Sequence, residues 1–187
     1  MFTRRQALVA SGAAGLIAAS GGVASAQAFK LPQKFEPREV RVSKDLELGT
    51  IVIVTSKHFL YHVAEKPGVA VRYGVGVGRA GLAFKGSAVI GAKKEWPSWT
   101  PTQEMIAREP ETYAQWSGGM PGGPENPLGA RALYLFKNGA DTFFRIHGTT
   151  VPRSIGTSVS NGCIRMLNEH VTHLYDRTKL GTKVVVV

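Results

Sequence analysis

Residues 142–166 read Thr-Phe-Phe-Arg-Ile-His-Gly-Thr-Thr-Val-Pro-Arg-Ser-Ile-Gly-Thr-Ser-Val-Ser-Asn-Gly-Cys-Ile-Arg-Met. An apolar strand, Thr142 to Ile146, runs into His147-Gly148. A polar loop rich in Gly, Ser and Thr then delivers Cys163, the one cysteine of the chain. Period-two alternation puts Phe143, Arg145 and His147 on one strand face, and Phe144 and Ile146 on the other. A histidine on the same side as a charged residue implies a solvent-accessible cleft. A thiol attacks only as thiolate, and a nearby imidazole is the usual means of making one near neutral pH. His147 and Cys163 are 16 residues apart, which suits a strand end and a returning loop that face each other. Cys163 follows Ser-Asn-Gly rather than sitting in an apolar run, so an inert buried thiol is the weaker reading.

Further groups of this segment carry chemistry. The backbone N–H groups around Gly162 and Cys163 are candidates for an oxyanion hole, and Gly162 gives them room to turn inward. Arg165 is placed either to bind a substrate carboxylate bidentately or to pin the loop to backbone carbonyls. Ser160 is expected to hold the loop by hydrogen bonding.

Outward from there the chain is strand-rich. Ala130 to Phe136 and Thr142 to Ile146 are joined by Asn138-Gly139, a hairpin turn signal. Upstream, Glu39 to Ser43 alternates as a half-buried strand. Thr50 to Thr55 and His58 to Val63 read as a hairpin, Val69 to Val77 as a strand whose glycines imply close backbone approach, and Ser87 to Lys93 as another strand. Thr102 to Glu109 reads as a short helix with Thr102 as N-cap and Pro110 as its limit. Tyr113 to Asn126 is Gly/Pro-rich and irregular, and is either a lid over the cleft or a surface loop. After Met166, Leu167, Val171, Leu174 and Tyr175 mark a helix with Asn168 able to cap it and Gly181 to stop it, and Lys183 to Val187 is a last strand. His58 and His62 read as surface or partly satisfied core histidines, and His170 and His173 as ordinary helix-surface histidines. The fold class is mostly β (β-rich α+β): a single sandwich-like antiparallel or mixed β domain with one helix after the cysteine and minor short helices.

The formal charge is +10 over 187 residues. The basic residues are scattered without aromatic interleaving, so charge alone does not indicate nucleic acid. Residues 1–26 read as a cleavable export signal. Arg4 and Arg5 form the n-region, Ala7 to Ala19 a short h-region, and Ala24-Ser25-Ala26 the cleavage site; Thr3-Arg4-Arg5-Gln6 resembles a twin-arginine motif. An h-region this short does not span a bilayer, and no cysteine beside the cleavage site offers a lipid anchor. The expected layout is signal 1–26, lead-in 27–47 and catalytic domain 48–187, in the periplasm or cell envelope with no stable membrane anchor.

The run His147-Gly148-Thr149, then Ser160-Asn161-Gly162-Cys163-Ile164-Arg165-Met166, resembles the signature of the L,D-transpeptidases, the YkuD-type catalytic domain. There His-Gly and roughly a dozen loop residues commonly lead to Ser-His-Gly-Cys-(Ile/Val)-Arg. Asn161 stands where His is commoner. The likeness extends upstream to Gly123-Pro124-Glu125-Asn126-Pro127-Leu128-Gly129 and covers residues 48–187 as a pattern.

The resemblance implies a thioester acyl transfer on peptidoglycan stem peptides. Cys163 is the nucleophile, His147 the general base and acid, and Gly162 an oxyanion-hole amide. The Gly148 carbonyl orients His147, and Arg165, Ser160 and Asn161 contact substrate. No metal or cofactor is needed. The acceptor is a neighbouring stem's amine, an envelope lipoprotein lysine, a free D-amino acid or water, the last making a hydrolase. The competing readings are a cysteine peptidase of another fold, a metal site of Cys163, His170 and His173, and a non-catalytic cell-wall- or nucleic-acid-binding module.

Overall fold

The computed structural model describes residues 29–63, 66–79, 82 and 84–187, and the export signal expected over 1–26 lies outside them. In chain order the strands are β1 (Arg38–Arg41), β2 (Ile51–Val54), β3 (Phe59–Val63), β4 (Val69–Gly74), β5 (Val77–Gly78) and β6 (Gly86–Glu95). Two short helices follow, α1 (Gln103–Arg108) and α2 (Pro110–Tyr113). Then come β7 (Arg131–Lys137), β8 (Ala140–His147), β9 (Ser158–Ser160), β10 (Ile164–Arg165), helix α3 (Asn168–Arg177) and β11 (Lys183–Val186). Nine strands form one mixed sheet in the order β1-β4-β3-β2-β11-β6-β7-β8-β10, while β5 and β9 pair separately.

The long sheet curls on itself. Just beyond β4, the Gly76 N–H donates to the Arg165 carbonyl at 2.9 Å, and the Arg165 N–H donates back to Gly76 at 2.8 Å. A Cβ on Gly76 would stand 2.5 Å from the Ser154 carbonyl oxygen, so the approach needs glycine, as the sequence implied. The curl lets alternate residues of nearly every strand share one core. Ile51, Leu60, Tyr73, Ile90, Leu133, Leu135 and Ile146 meet Val171 and Leu174 of α3 in it. Burying each large aliphatic side chain contributes on the order of 1.5–3 kcal/mol, and this core sets the frame on which the site is built.

Local signals were realised where the chemistry was local. Asn138 (φ 53°) and Gly139 (φ 79°) make the tight turn between β7 and β8. The Thr102 hydroxyl accepts the Met105 N–H at 3.2 Å and caps α1.

Other elements differ from expectation. The lead-in is built into the domain: β1 pairs with β4, and Leu31 and Phe35 form a second small core with Ile155. Pro110 does not only end a helix; it opens α2 at a position where its missing N–H costs nothing. Asn168 does not cap α3, because its Oδ1 accepts the Ala130 N–H across the fold at 3.0 Å. The stretch 113–126 contains a 3-10 turn at Ala114–Trp116. It is pinned by fully buried Asn126, whose Nδ2 donates to the Met120 and Pro121 carbonyls at 3.2 and 2.9 Å. Of the two α3 histidines, both expected on the helix surface, His173 is exposed while His170 is buried; both rings lie beside Tyr73, at 6.2 Å for His170 and 5.8 Å for His173. No helix among the described residues is long and apolar enough to cross a membrane.

Candidate active site

Parallel pairing of β10 with β8 builds the site, with Ile164 opposite Ile146 and Arg165 opposite His147. The Met166 N–H donates to the His147 carbonyl at 2.8 Å and continues the ladder. Cys163 is thereby held one residue before β10, beside the last turns of β8. On its other side the loop is anchored by β9, which pairs with β5 through Val77–Ser158 and Gly78–Ser160. The 15 residues 148–162 thus return the cysteine to the strand that carries the histidine.

His147 is 5% exposed. Its Nδ1 lies 2.6 Å from the Gly148 carbonyl. That oxygen only accepts, so Nδ1 carries the proton and Nε2 is left as the acceptor. Burial lowers the imidazole pKa to about 4; the Gly148 and Leu128 carbonyls oppose that shift, and the charges of Arg165 and Arg145 reinforce it. The face alternation expected along this strand is broken. Phe143 takes φ 62°, and the β7–β8 register shifts between Tyr134 and Phe136. Phe143 is turned out to solvent, while His147 is buried at the strand end rather than on an open face.

Cys163 is half-buried, with Sγ 3.9 Å from the Phe143 carbonyl. Burial raises its pKa. The Arg145 backbone N–H and the charges of Arg145 and Arg165 pull it back down, and Asp141 pushes it up again. The resting pair is therefore neutral thiol and neutral imidazole rather than a preformed thiolate.

Gly162, whose amide is expected beside that of Cys163 in an oxyanion hole, is held within its own loop in the resting site. Its N–H donates to Ser160 Oγ at 3.2 Å, and that hydroxyl donates to the Cys163 carbonyl at 2.6 Å. Ser160 locks the turn as expected, and this consumes the Gly162 amide. Among the described residues the Cys163 N–H has no acceptor. Gly162 is still required, at φ 122° with a notional Cβ 2.6 Å from the Phe144 ring.

Arg165 is half-buried, and its side chain makes no hydrogen bond or ion pair with the described residues; its charge acts on Cys163, His147 and Tyr113 instead. The loop-pinning reading therefore lacks its hydrogen bonds. Asn161, where the family commonly has histidine, is exposed and accepts from Arg79 at 2.8 Å. Sequence reading missed Arg79, which is brought in from β5 by strand pairing. It also missed Asp141, which grips Arg145 bidentately at 2.7 and 2.8 Å; an i,i+4 acid–base pair in a strand was the available signal. His173 Nδ1 lies 2.6 Å from the Tyr73 hydroxyl, which removes that nitrogen from the suggested metal set. A concavity of about 980 Å³ lined by His62, His173, Arg177 and Lys179 includes neither member of the Cys/His pair.

A curled mixed sheet that presents a buried histidine and a cysteine from neighbouring parallel strands defines a thiol-bearing domain of the L,D-transpeptidase type. The L,D-transpeptidase catalytic domain (YkuD) profile matches residues 49–186, and the chain belongs to that family. It is 29% identical over 153 residues to "Probable L,D-transpeptidase ErfK/SrfK" of Escherichia coli K12, covering 81% of this chain and 47% of the relative. It is 32% identical over 136 residues to "Probable L,D-transpeptidase YbiS" of the same strain, covering 72% and 43%. The chain thus spans a little under half the length of these relatives. Among solved structures, the Brucella melitensis "Probable carnitine operon oxidoreductase caia" is 54% identical, with TM-score 0.57 and 84% and 96% of the two chains covered. That description belongs to the Brucella protein. An Enterococcus faecium L,D-transpeptidase shares the fold at 17% identity, with TM-score 0.55 and coverage of 76% and 50%.

Proposed function

We propose that this chain is an exported peptidoglycan L,D-transpeptidase whose acyl-enzyme forms on Cys163. The observation that carries the reading is the β8–β10 register, which sets Cys163 beside a strand ending in a histidine of fixed tautomer. As Sγ attacks the carbonyl of the L-centre in a tetrapeptide stem, the Cys163 proton passes to His147 Nε2. The Cys163 amide steadies the oxyanion. Collapse breaks the L–D peptide bond, and the departing D-amino acid leaves with the proton from His147. An acceptor amine then attacks the thioester, gives its proton to His147, and the thiol is restored. Arg165 binds a donor carboxylate, and Asn161, held by Arg79, borders the same mouth.

The acceptor classes are a neighbouring stem, an envelope lipoprotein lysine or a free D-amino acid. Water in that role would make the same site a hydrolase. Residues 1–26 act as the export signal and place the domain in the cell envelope.

The test is mass spectrometry of the protein incubated with disaccharide-tetrapeptide, alongside Cys163→Ala. Loss of the terminal D-amino acid with an adduct on Cys163 supports the reading, and the product (dimer, exchanged stem or tripeptide) names the acceptor. Folded protein with a reduced thiol that gives neither adduct nor product refutes it, and brings forward a wall-binding module.

A further inference from the structure

Strand β8 carries an irregularity immediately before the site. Phe143, at φ 62°, occupies the left-handed region, an outlier for a bulky aromatic residue. The residue is 81% exposed, so apolar packing does not explain the conformation. Strain of this kind persists only where the surroundings impose it, and it concentrates at functional sites. Two side chains impose it here. Asp141 Oδ1 accepts the Phe143 N–H at 2.8 Å and Arg145 Nη1 at 2.7 Å, while Oδ2 accepts Arg145 Nη2 at 2.8 Å. The Thr142 hydroxyl donates to the Leu135 carbonyl at 2.6 Å and accepts the Phe144 N–H at 3.2 Å. The Arg145 guanidinium is further fixed 4.2 Å from the centre of the Tyr134 ring.

The clamped bulge presents two main-chain groups to Cys163. The Phe143 carbonyl lies 3.9 Å from Sγ as an acceptor for the S–H. The Arg145 backbone N–H acts on the same sulfur, lowering the thiol pKa against the effect of burial. We propose that the Asp141–Arg145 bulge is a cradle that aims the Cys163 sulfur, with Asp141 and Thr142 as the positioning residues that hold it in shape. The inference rests on the reading of Cys163 as nucleophile. The carbonyl orients the neutral thiol, and the amide receives the sulfur as it gains charge, so the cradle serves both ends of the proton transfer. Neither Asp141 nor Thr142 touches the reacting atoms.

Positioning and plain electrostatics predict opposite signs. The charged groups facing Cys163 are Asp141 and Arg145 from β8 and Arg165 from β10, with buried His147 alongside. The Asp141 carboxylate disfavours thiolate, so charge alone predicts that its removal speeds thiol chemistry. Loss of the cradle predicts that it slows.

The experiment measures iodoacetamide alkylation of Cys163 against pH, and turnover of disaccharide-tetrapeptide, for wild type, Asp141→Ala, Asp141→Asn and Thr142→Val. Asp141→Ala is expected to slow alkylation at every pH and to lower kcat/KM by about tenfold or more, through misplacement of the sulfur. Asp141→Asn keeps an acceptor for the Phe143 N–H and is expected to stay within about threefold of wild type. Thr142→Val changes no charge and is expected to slow both reactions. Phe143→Gly accepts the positive φ without strain, so alkylation is expected to stay near the wild-type rate. An Asp141→Ala protein that alkylates as fast as wild type or faster overturns the cradle, and so does wild-type behaviour of Thr142→Val if the alanine variant does not fold. Alkylation needs no substrate. A wild type inert toward disaccharide-tetrapeptide would therefore sink the transpeptidase reading while the cradle is still judged by its own measurement.

Discussion

Replacing Gly148 by alanine tests how the site holds its histidine. Gly148 lies outside the left-handed region, so alanine suffers no backbone penalty there and the question is one of space. Its Cβ would stand 2.1 Å from Asn168 Oδ1, and 3.1 Å from both the Ala130 nitrogen and the Gly129 Cα. An ordinary contact needs more than about 3.4 Å, and a packed interior does not yield that much freely. Two relief routes exist. If Asn168 swings away, the buried Ala130 N–H loses its acceptor, costing roughly 1–3 kcal/mol. If the backbone shifts instead, the Gly148 carbonyl moves by about 1 Å from its 2.6 Å bond to His147 Nδ1, and a misplacement of that size can cost on the order of 100-fold in rate. Gly148→Ala is therefore expected to lose roughly 2 kcal/mol of stability, or to drop kcat sharply with KM little changed. Urea unfolding and transpeptidation kinetics decide between the routes. Gly148→Ala/Asn168→Gly, which removes the obstructing oxygen, should be less impaired than the sum of the single variants. Wild-type stability and kcat in Gly148→Ala would refute the packing argument, and strict additivity would refute the role of Asn168.

The other predictions concern charge. Arg165→Ala is expected to raise the donor KM by roughly 10- to 100-fold, the range for losing one charge-assisted hydrogen-bonded partner, with Tm little changed because the guanidinium has no hydrogen bond within the described structure; an unchanged KM refutes carboxylate binding. Acid stability follows from the histidines. The His147 pKa falls on folding from 6.5 to about 4, so between those values the unfolded chain binds the proton and the folded chain does not. Stability contributed by the neutral ring is complete above about pH 6.5, declines as pH falls, and is fully lost below about pH 4, an amount of roughly 3 kcal/mol at about 1.4 kcal/mol per unit. His62 and His170, also lowered by burial, act in the same direction. Tm should fall steadily from pH 7 to pH 4.5, less steeply in His62→Gln, and a flat profile refutes the assignment.

Local signals explain why most of the architecture was legible. Asn138-Gly139, Thr102 and the alternating valines act within a few residues, and the helix after Met166 follows its own apolar periodicity. The Cys/His segment was legible for a different reason: its residue types admit few other chemistries. Pairing between distant segments was what remained hidden. Arg79 reaches Asn161 only because β5 pairs with β9. Asn168 gives up its capping role because the close approach at Gly129 and Gly148 brings the Ala130 amide within reach. The left-handed Phe143 contradicts local preference outright, and its cause lies in the side chains of Asp141 and Thr142. The bond from the Gly162 amide to Ser160 was open to local reading, because an ST-type contact joins residues only two apart.

The neutrality of the resting site connects these observations. A thiol held above its ordinary range by burial is a poor target for oxidants, which attack the thiolate. In the exported setting proposed for this chain, that protects a lone cysteine that no partner can shelter in a disulfide. The same burial holds His147 near pKa 4, too weak a base to strip the thiol in advance. Proton transfer therefore has to coincide with attack, when charge is passing from sulfur to the carbonyl oxygen and the imidazolium is only transient. Groups that favour charge are already in place around that event: the Arg145 amide and guanidinium, the Arg165 guanidinium, and the Gly148 carbonyl behind the ring. Their combined effect on the resting thiol is smaller than the effect of burial, which is why it remains protonated. A substrate that brings a carbonyl to Sγ adds the missing acceptor of charge. Reactivity on this reading depends on the substrate, and the fold achieves it by balancing burial against these positive and dipolar groups rather than by storing a thiolate.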